Sequence, residues 1–173
     1  MKQLLILRGR PGAGKSSVAK NIQQKLEPKK VAIFTPDYFY WQVFPGEDNK
    51  NLVNKVLNFA IQKYLEENYL VILEGILPKN ENGELFESLY QYCQNNDINF
   101  NSVFLEVSLE KALKRNRKRK KGTEISDSDM KTWYSNAQPK EIINEKILKT
   151  DNKTAEKITN KLLQMLVPNQ TPG

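Results

Sequence analysis

Short apolar runs alternate with amphipathic stretches along the whole chain. The apolar runs predict strands over residues 2–7, 31–34, 69–73, 103–107 and, more weakly, 146–148. Apolar residues at helical spacing predict helices over residues 14–26, 51–66, 84–94, 109–120, 126–136 and 154–166. Regular strand–helix alternation is typical of an α/β domain with a mostly parallel sheet and right-handed crossovers.

No internal repeat and no linker interrupts this pattern, so residues 1–167 are expected to form a single domain. Residues 168–173 are expected to fray. The opening apolar run of four residues is too short for a signal peptide, and no run is long enough to span a membrane. We therefore expect a cytoplasmic protein without a membrane partner.

The composition excludes several kinds of catalytic site. The 173 residues include no histidine and one cysteine. A Ser-His-Asp or Cys-His unit, an imidazole metal site and a cysteine-based zinc site are therefore ruled out. Acid–base chemistry at neutral pH is left to carboxylates, lysine or tyrosine.

The net charge of +7 comes from one segment. Residues 111–121 hold eight basic side chains and no acid, whereas acids and bases nearly balance in the remainder. A protein that follows a long nucleic acid spreads its positive charge over a surface. We therefore expect nucleic acid to bind at most as a terminal nucleotide.

A glycine-rich segment at the first predicted strand–helix junction carries the strongest chemical signal. It fits the phosphate-loop pattern G-x-x-x-x-G-K-[ST], and we predict that it binds a nucleotide through Gly9, Arg10, Pro11, Gly12, Ala13, Gly14, Lys15, Ser16 and Ser17. Glycines let backbone amides turn towards an anion, and the following helix adds its positive end. Lys15 is expected to reach the β- and γ-phosphates, and the Ser16 hydroxyl to ligate Mg²⁺.

Two acidic residues follow predicted strands. Asp37 comes after the second strand, where it could accept the proton of an attacking hydroxyl or form a turn or cap after Pro36. Glu74 ends the third strand, where it could hold Mg²⁺, orient an acceptor, cap a helix or pair with an arginine. We predict catalysis for Asp37 and metal binding for Glu74.

Arg115 and Arg119 lie four residues apart in the basic run. On a continuous helix they would share one face, which suits bidentate contacts to phosphate oxygens. We predict both as catalytic residues and expect the neighbouring lysines to lie on the solvated surface.

Five segments together resemble the small phosphate-loop kinases, a group that includes zeta-toxin, chloramphenicol phosphotransferase and polynucleotide-kinase-like enzymes. The segments read LLILRGRPGAGKSS, PDYF, VILEG, VSLEKALKRNRKRKKG and EKILKTDNKTAEKI. The resemblance implies a P-loop NTPase three-layer sandwich with helices on both faces of a five-stranded parallel sheet in the order 2-3-1-4-5. It also implies an arginine-bearing lid at about residues 115–126 and a catalytic base at Asp37. It further implies an adenine-contacting loop at residues 150–153, which includes Asp151 and Asn152.

An aromatic segment, YFYWQVF at residues 38–44, directly follows Asp37. It could form one wall of a pocket for a ring-bearing acceptor or pack onto the core of the protein. Trp133 and Tyr134 could close the other side of such a pocket or belong to the core.

These residues predict an ATP- and Mg²⁺-dependent phosphotransferase acting on a hydroxyl of a small-molecule acceptor, such as a nucleoside, a sugar or an antibiotic. ATP is favoured over GTP because the closest match to a guanine-binding N-K-x-D motif, at residues 152–155, lacks its aspartate. Two alternatives stay open: a nucleotide-binding switch or slow ATPase that acts through a partner, and a nucleic-acid end kinase.

Overall fold

Five parallel strands form one sheet. The computed structural model describes residues 2–27, 30–43, 49–119 and 125–167. The strands are β1 (Gln3–Gly9), β2 (Val31–Phe34), β3 (Leu70–Gly75), β4 (Asn99–Glu106) and β5 (Lys146–Lys149). They are arranged in the order β2-β3-β1-β4-β5, and every neighbouring pair is parallel. The strand order implied by the sequence resemblance is therefore confirmed.

Helices connect the strands and cover both faces of the sheet. They are α1 (Lys15–Lys25), the short α2 (Pro36–Tyr38), α3 (Lys50–Glu66), α4 (Lys79–Asn95), α5 (Leu109–Asn116), α6 (Asp127–Asn136) and α7 (Ala155–Leu166). A five-residue π-helical turn, Phe39–Val43, follows α2 directly. Three helices begin at a hydroxyl side chain that accepts a hydrogen bond from the first turn: Ser108 before α5, Ser126 before α6 and Thr154 before α7.

The central strand β1 separates two apolar layers, because its side chains alternate between the faces of the sheet. Leu5 and Leu7 pack with α1 and α7, whereas Leu4 and Ile6 pack with α3 and α4. All four side chains are fully buried. The three-layer α/β sandwich predicted from the sequence is confirmed.

Several element ends differ from the sequence prediction. Strand β4 begins at Asn99 rather than residue 103, because its polar first half pairs with β1 from Gln3 onwards. Helix α4 begins at Lys79 rather than residue 84, and Glu81 in its first turn pairs with Lys50 of α3 at 2.9 Å. In both places tertiary contacts extend an element into a polar segment that shows no apolar periodicity.

Helix α5 ends at Asn116 rather than residue 120, because the Asn116 side chain binds a distant backbone segment. Its amide nitrogen donates to the Ile125 carbonyl at 2.6 Å, and its oxygen accepts from the Ile125 amide at 3.1 Å. These two bonds join the ends of the segment between α5 and α6. The lid predicted at about residues 115–126 falls here, and its residues 120–124 lie outside the described residues, as does the tail predicted at residues 168–173.

The domain boundaries stay a prediction. In the parts of the chain that the structure describes, no helix is both long and apolar enough to cross a bilayer.

A fully buried arginine stands at the end of β1, directly before the phosphate loop. The Arg8 guanidinium donates to the Gln138 carbonyl at 2.7 Å, forms an ion pair with Glu141 and lies 3.6 Å from the Glu145 carboxylate. It also lies 5.3 Å from the centre of the Phe104 ring. Arg8 thus fastens the segment between α6 and β5 to the strand that carries the phosphate loop.

Replacing Arg8 by methionine is expected to lower the free energy of unfolding by about 3 to 5 kcal/mol, because it leaves two acidic side chains without their buried partner. Burial raises the pKa of Glu145, and the Arg8 charge opposes that rise. Without Arg8 this carboxyl group is protonated more readily, so its buried charge disappears in acid. The loss in the free energy of unfolding should therefore be smaller in acid than at neutral pH. Urea unfolding at neutral and acidic pH measures both effects. The control is Arg117→Met, which breaks an exposed ion pair with Asp127 and should change the free energy of unfolding little. Equal losses of unfolding free energy in the two variants would contradict this role of Arg8.

Candidate active site

The loop between β1 and α1 has a backbone that favours glycine, as at Gly9 and Gly12. Gly9 has a φ of 149°, and a Cβ atom there would lie 2.2 Å from the carbonyl oxygen of Leu105 on β4. Gly12 has a φ of 74°, in the left-handed region. Helix α1 begins at Lys15, so the unpaired amides of its first turn and its positive end face the loop. This arrangement suits a polyphosphate.

Lys15 lies at the centre of the candidate site. Its ammonium group donates to the carbonyl oxygens of Gly9 at 3.1 Å and Arg10 at 3.0 Å. Burial lowers the pKa of Lys15 to about 8, although the negative charges of Glu74 and Asp37 oppose that shift and the charge of Arg119 adds to it. The charges of the two predicted acidic residues and of one of the two predicted arginines therefore act on Lys15.

The lowered pKa of Lys15 predicts that nucleotide binding takes up a proton in alkaline solution. Above pH 8 the free protein holds this lysine mostly neutral, whereas a bound polyphosphate favours the charged form. We expect uptake of up to about one proton, and affinity should fall up to about tenfold per pH unit above that pH. Calorimetry of MgADP binding in two buffers of different ionisation heat measures the uptake.

Binding at about pH 7 serves as the control, because Lys15 is already mostly protonated there and little uptake is expected. A binding heat that does not depend on the buffer at about pH 9 would contradict this assignment.

Ser16 and Glu74 are joined by a hydrogen bond across the site. The Ser16 hydroxyl donates to a Glu74 carboxylate oxygen at 3.0 Å. Burial raises the pKa of Glu74, while the Lys15 charge and the Ser16 hydrogen bond oppose that rise. A hydroxyl beside a carboxylate is a pair of hard oxygen donors, which fits Mg²⁺.

Asp37 reaches the same place from the neighbouring strand. Strand β2 pairs with β3 up to Phe34 and Leu73, so Asp37 in α2 lies at the same edge of the sheet as Glu74. The N-cap position of α2 belongs to Thr35, so Asp37 lies within the first turn of that helix. The exposed carboxyl group lies in a concave region where desolvation raises its pKa and the Lys15 charge opposes the rise.

A cavity of about 380 Å³ opens beside Asp37. Its walls come from α2, the π-helical turn, the starts of α3 and α4, the loop after β3, and α6. Aromatic side chains on two of these segments contribute to the lining: Tyr40, Trp41 and Trp133. Tyr134 does not line it, since its hydroxyl donates to the Val107 carbonyl at 2.9 Å. Of the two residues considered for the far wall, the cavity therefore uses Trp133.

The two predicted catalytic arginines do not share a helical face. Helix α5 ends at Asn116, so Arg119 lies beyond it, and that expectation is wrong. The Arg115 guanidinium donates to the Gly12 carbonyl at 3.1 Å and to the Thr150 carbonyl at 2.7 Å. It therefore braces the outside of the phosphate loop, whereas the charge of the exposed Arg119 acts on Lys15.

Arg10 has a partner that the sequence did not indicate. Its guanidinium lies 4.3 Å from the centre of the Tyr134 ring and donates to the Tyr134 carbonyl oxygen. Its backbone belongs to the phosphate loop, whereas its side chain contacts α6, which also supplies Trp133 to the cavity. The loop and one cavity wall are thus directly connected.

The predicted adenine loop follows β5, at the edge of the sheet opposite Asp37. The Asp151 carboxylate accepts a hydrogen bond from the Ser108 amide at 3.0 Å and another from the Ser108 hydroxyl, and these bonds lower its pKa. Asn152 is exposed beside it. Asp151 therefore ties the start of α5 to this loop, and the role of both residues in binding adenine stays a prediction.

Comparison with known proteins identifies one family over almost the whole chain. The profile of the family described as chromatin-associated protein KTI12 matches residues 2–171. An L-seryl-tRNA(Sec) kinase from Methanococcus maripaludis is 27% identical over 134 residues, which cover 76% of this chain and 51% of that protein. The chain thus spans about half the length of this curated relative.

The solved structures that share the fold include two nucleotide complexes. One is the APS kinase CysC of Mycobacterium tuberculosis in complex with AMPPNP and APS, with a TM-score of 0.68, 18% identity and coverage of 95% of this chain and 96% of that chain. The other is Kti12 of Chaetomium thermophilum in complex with ADP-AlF3, with a TM-score of 0.63, 16% identity and coverage of 93% and 97%. The predicted P-loop kinase fold is confirmed. The matching profile is that of KTI12 rather than the zeta-toxin, chloramphenicol phosphotransferase or polynucleotide kinase groups.

Proposed function

This chain belongs to the family of the chromatin-associated protein KTI12, and within that family we propose that it transfers the γ-phosphate of ATP to a hydroxyl of a small-molecule acceptor. The observation that carries the proposal is the position of Asp37. Its carboxyl group lines the cavity and its charge acts on Lys15 in the phosphate loop. A candidate base therefore stands between a nucleotide site and a cavity that can hold an acceptor.

In the proposed reaction the acceptor oxygen attacks the γ-phosphorus, and Asp37 accepts the proton of that hydroxyl. The bond between the γ-phosphorus and the bridging oxygen breaks, and ADP leaves with the electron pair. Lys15 turns from the Gly9 and Arg10 carbonyls to the phosphate oxygens, where it neutralises negative charge. Catalysis in this scheme is mainly positioning and electrostatic stabilisation.

Two groups complete the charge neutralisation. The Ser16 hydroxyl and the Glu74 carboxylate would hold Mg²⁺, which supplies positive charge to the β- and γ-phosphates when bound. Arg119 would close over the transferred phosphoryl group from the lid, since its charge already acts on Lys15. Arg115 would act as a positioning residue, because it holds the Gly12 carbonyl of the loop.

A screen of alcohol acceptors tests the proposal. ADP release from MgATP is measured with and without nucleosides, sugars and hydroxylated antibiotics, and the phosphorylated product is identified by mass spectrometry. An acceptor that raises ADP release and gains one phosphoryl group supports a transferase. If ADP release never exceeds the background and no product forms, the proposal fails.

A partner-stimulated ATPase is the second candidate. The KTI12 profile and the likeness to a Kti12 bound to ADP-AlF3 favour it. Such a protein needs the phosphate loop, Lys15 and Ser16 but no acceptor base. Hydrolysis that is stimulated by a protein and does not require Asp37 would favour this candidate.

The relative named as a tRNA kinase favours a third candidate, in which the acceptor hydroxyl is carried at the end of a nucleic acid. The basic run of residues 111–121 could grip the adjoining phosphates. Transfer to such a substrate would weaken steeply with added salt, whereas transfer to a neutral small molecule would change little. Rate measurements over a salt series therefore separate the two acceptor classes.

A further inference from the structure

The cavity beside Asp37 has a charge pattern that limits what it can bind. Among the described residues that line it, the charged side chains are those of Asp37, Lys50 and Glu81. The Lys50 ammonium lies 2.9 Å from the Glu81 carboxylate, so Glu81 offsets its charge within the wall. The charged residues of these walls therefore have a net negative charge when Asp37 is ionised.

A phosphate, sulfate or carboxylate on the acceptor would need a cation that is not already neutralised, and it would be repelled by Asp37. An uncharged acceptor meets neither obstacle. The described part of this cavity therefore favours a neutral molecule over an anionic one.

The rest of the lining indicates the shape of the molecule. Tyr40, Trp41 and Trp133 present aromatic rings from two segments that are distant in the chain. Trp41 is 71% exposed, which is unusual for a tryptophan and leaves its ring available for stacking. Aromatic faces stack well on nucleobases. The exposed Asn136 also lines the cavity, and its side-chain amide can hydrogen-bond to the edge of a base.

We infer that this cavity takes an uncharged nucleoside, with a sugar hydroxyl directed towards Asp37 and the base among the tryptophans. The inference rests on the proposed phosphotransfer for its orientation, but binding of the nucleoside can be measured without catalysis. The cavity volume of about 380 Å³ falls in the range of small-molecule sites.

The chain provides its own probe, because its two tryptophans are Trp41 and Trp133 and both line the cavity. Intrinsic fluorescence is followed while adenosine, guanosine, cytidine or uridine is added to protein saturated with Mg-AMPPNP, which fills the nucleotide site first. At least one nucleoside should produce a saturable change. Its 5′-monophosphate should bind about tenfold more weakly, and glucose should have no effect.

Glu81→Gln tests the charge argument. The substitution removes one negative charge from the cavity wall, so the preference for nucleoside over monophosphate should shrink to about threefold or less. The matched control is Glu84→Gln, the same change at an exposed position of α4 that does not line the cavity. Unchanged AMPPNP affinity shows that each variant is folded.

The outcomes separate this inference from the proposed function. If AMPPNP binds but every nucleoside leaves the fluorescence unchanged, or the monophosphate binds as tightly as its nucleoside, the inference is overturned. If glucose binds as well as the nucleosides, the assignment to nucleosides is also overturned. If a nucleoside binds as expected but never accelerates ADP release from ATP, the proposed function fails while the assignment of the cavity stands.

Discussion

Lys15→Ala should lose nucleotide binding and at least about a thousandfold in turnover, because it removes a buried positive charge from the place where the polyphosphate would lie. The Lys15 ammonium donates to two carbonyl oxygens of its own loop, and the proposed reaction turns it from them to the phosphate oxygens. A water molecule in the space left by the side chain cannot replace that charge. Calorimetry with Mg-AMPPNP measures binding, and ADP release measures turnover.

Lys25→Ala is the matched control for this variant. Lys25 lies on the same helix, α1, but pairs with Glu156 at the surface at 2.7 Å. We expect its nucleotide affinity and turnover to equal those of the unmodified protein. Turnover retained in Lys15→Ala would show that the loop does not act on a nucleotide, and both the transferase and the ATPase proposals would fail.

Asp37→Asn should cut phosphoryl transfer by about a hundredfold to ten-thousandfold while nucleotide affinity stays nearly unchanged. Asparagine keeps the shape of the side chain but cannot accept the acceptor's proton. Desolvation raises the pKa of Asp37, and the Lys15 charge opposes the rise. The midpoint of the acid limb in a plot of rate against pH should therefore lie above the ordinary pKa of an aspartate. The rate should increase with pH as Asp37 becomes ionised, and this limb should vanish in the variant.

Asp97→Asn provides the control, because Asp97 is exposed near the start of β4, at the opposite end of the sheet. Its φ of 51° lies in the left-handed region, which asparagine tolerates well. Acceptor-dependent and background ADP release are compared in both variants. Acceptor-dependent release that survives in Asp37→Asn would remove Asp37 from the mechanism, and hydrolysis that continues in this variant without any acceptor-dependent release would favour an ATPase over a transferase.

The arginines show where sequence reasoning reaches its limit. The basic run identified Arg115 and Arg119, but their roles depend on where α5 ends. That end is set by two hydrogen bonds between Asn116 and Ile125, and the spacing of charges does not reveal them. Arg8 was missed because the predicted strand stopped at the last apolar residue, whereas a charged residue continues β1 when distant acids pair with it.

The cavity shows the same limit. The aromatic segment after Asp37 predicted one wall, and Trp133 was one of two candidates for the other. The structure selects Trp133 and adds Lys50, Glu81 and Asn82. The apolar and polar pattern of a single helix does not predict that its first turn will face a ligand, because that position depends on how the helices pack against one another.

Local sequence determined the phosphate loop, the alternation of strands and helices, and the acids that follow β2 and β3. Each of these follows from near neighbours, since glycine conformation, apolar periodicity and helix ends are short-range properties. Packing over long range decided which side chains meet: Arg115 on the loop, Arg10 on Tyr134, Lys50 on Glu81 and Asp37 beside Lys15. These contacts depend on strand order and helix packing, through which elements distant in the chain hydrogen-bond to each other's polar groups. No local sequence pattern encodes that pairing.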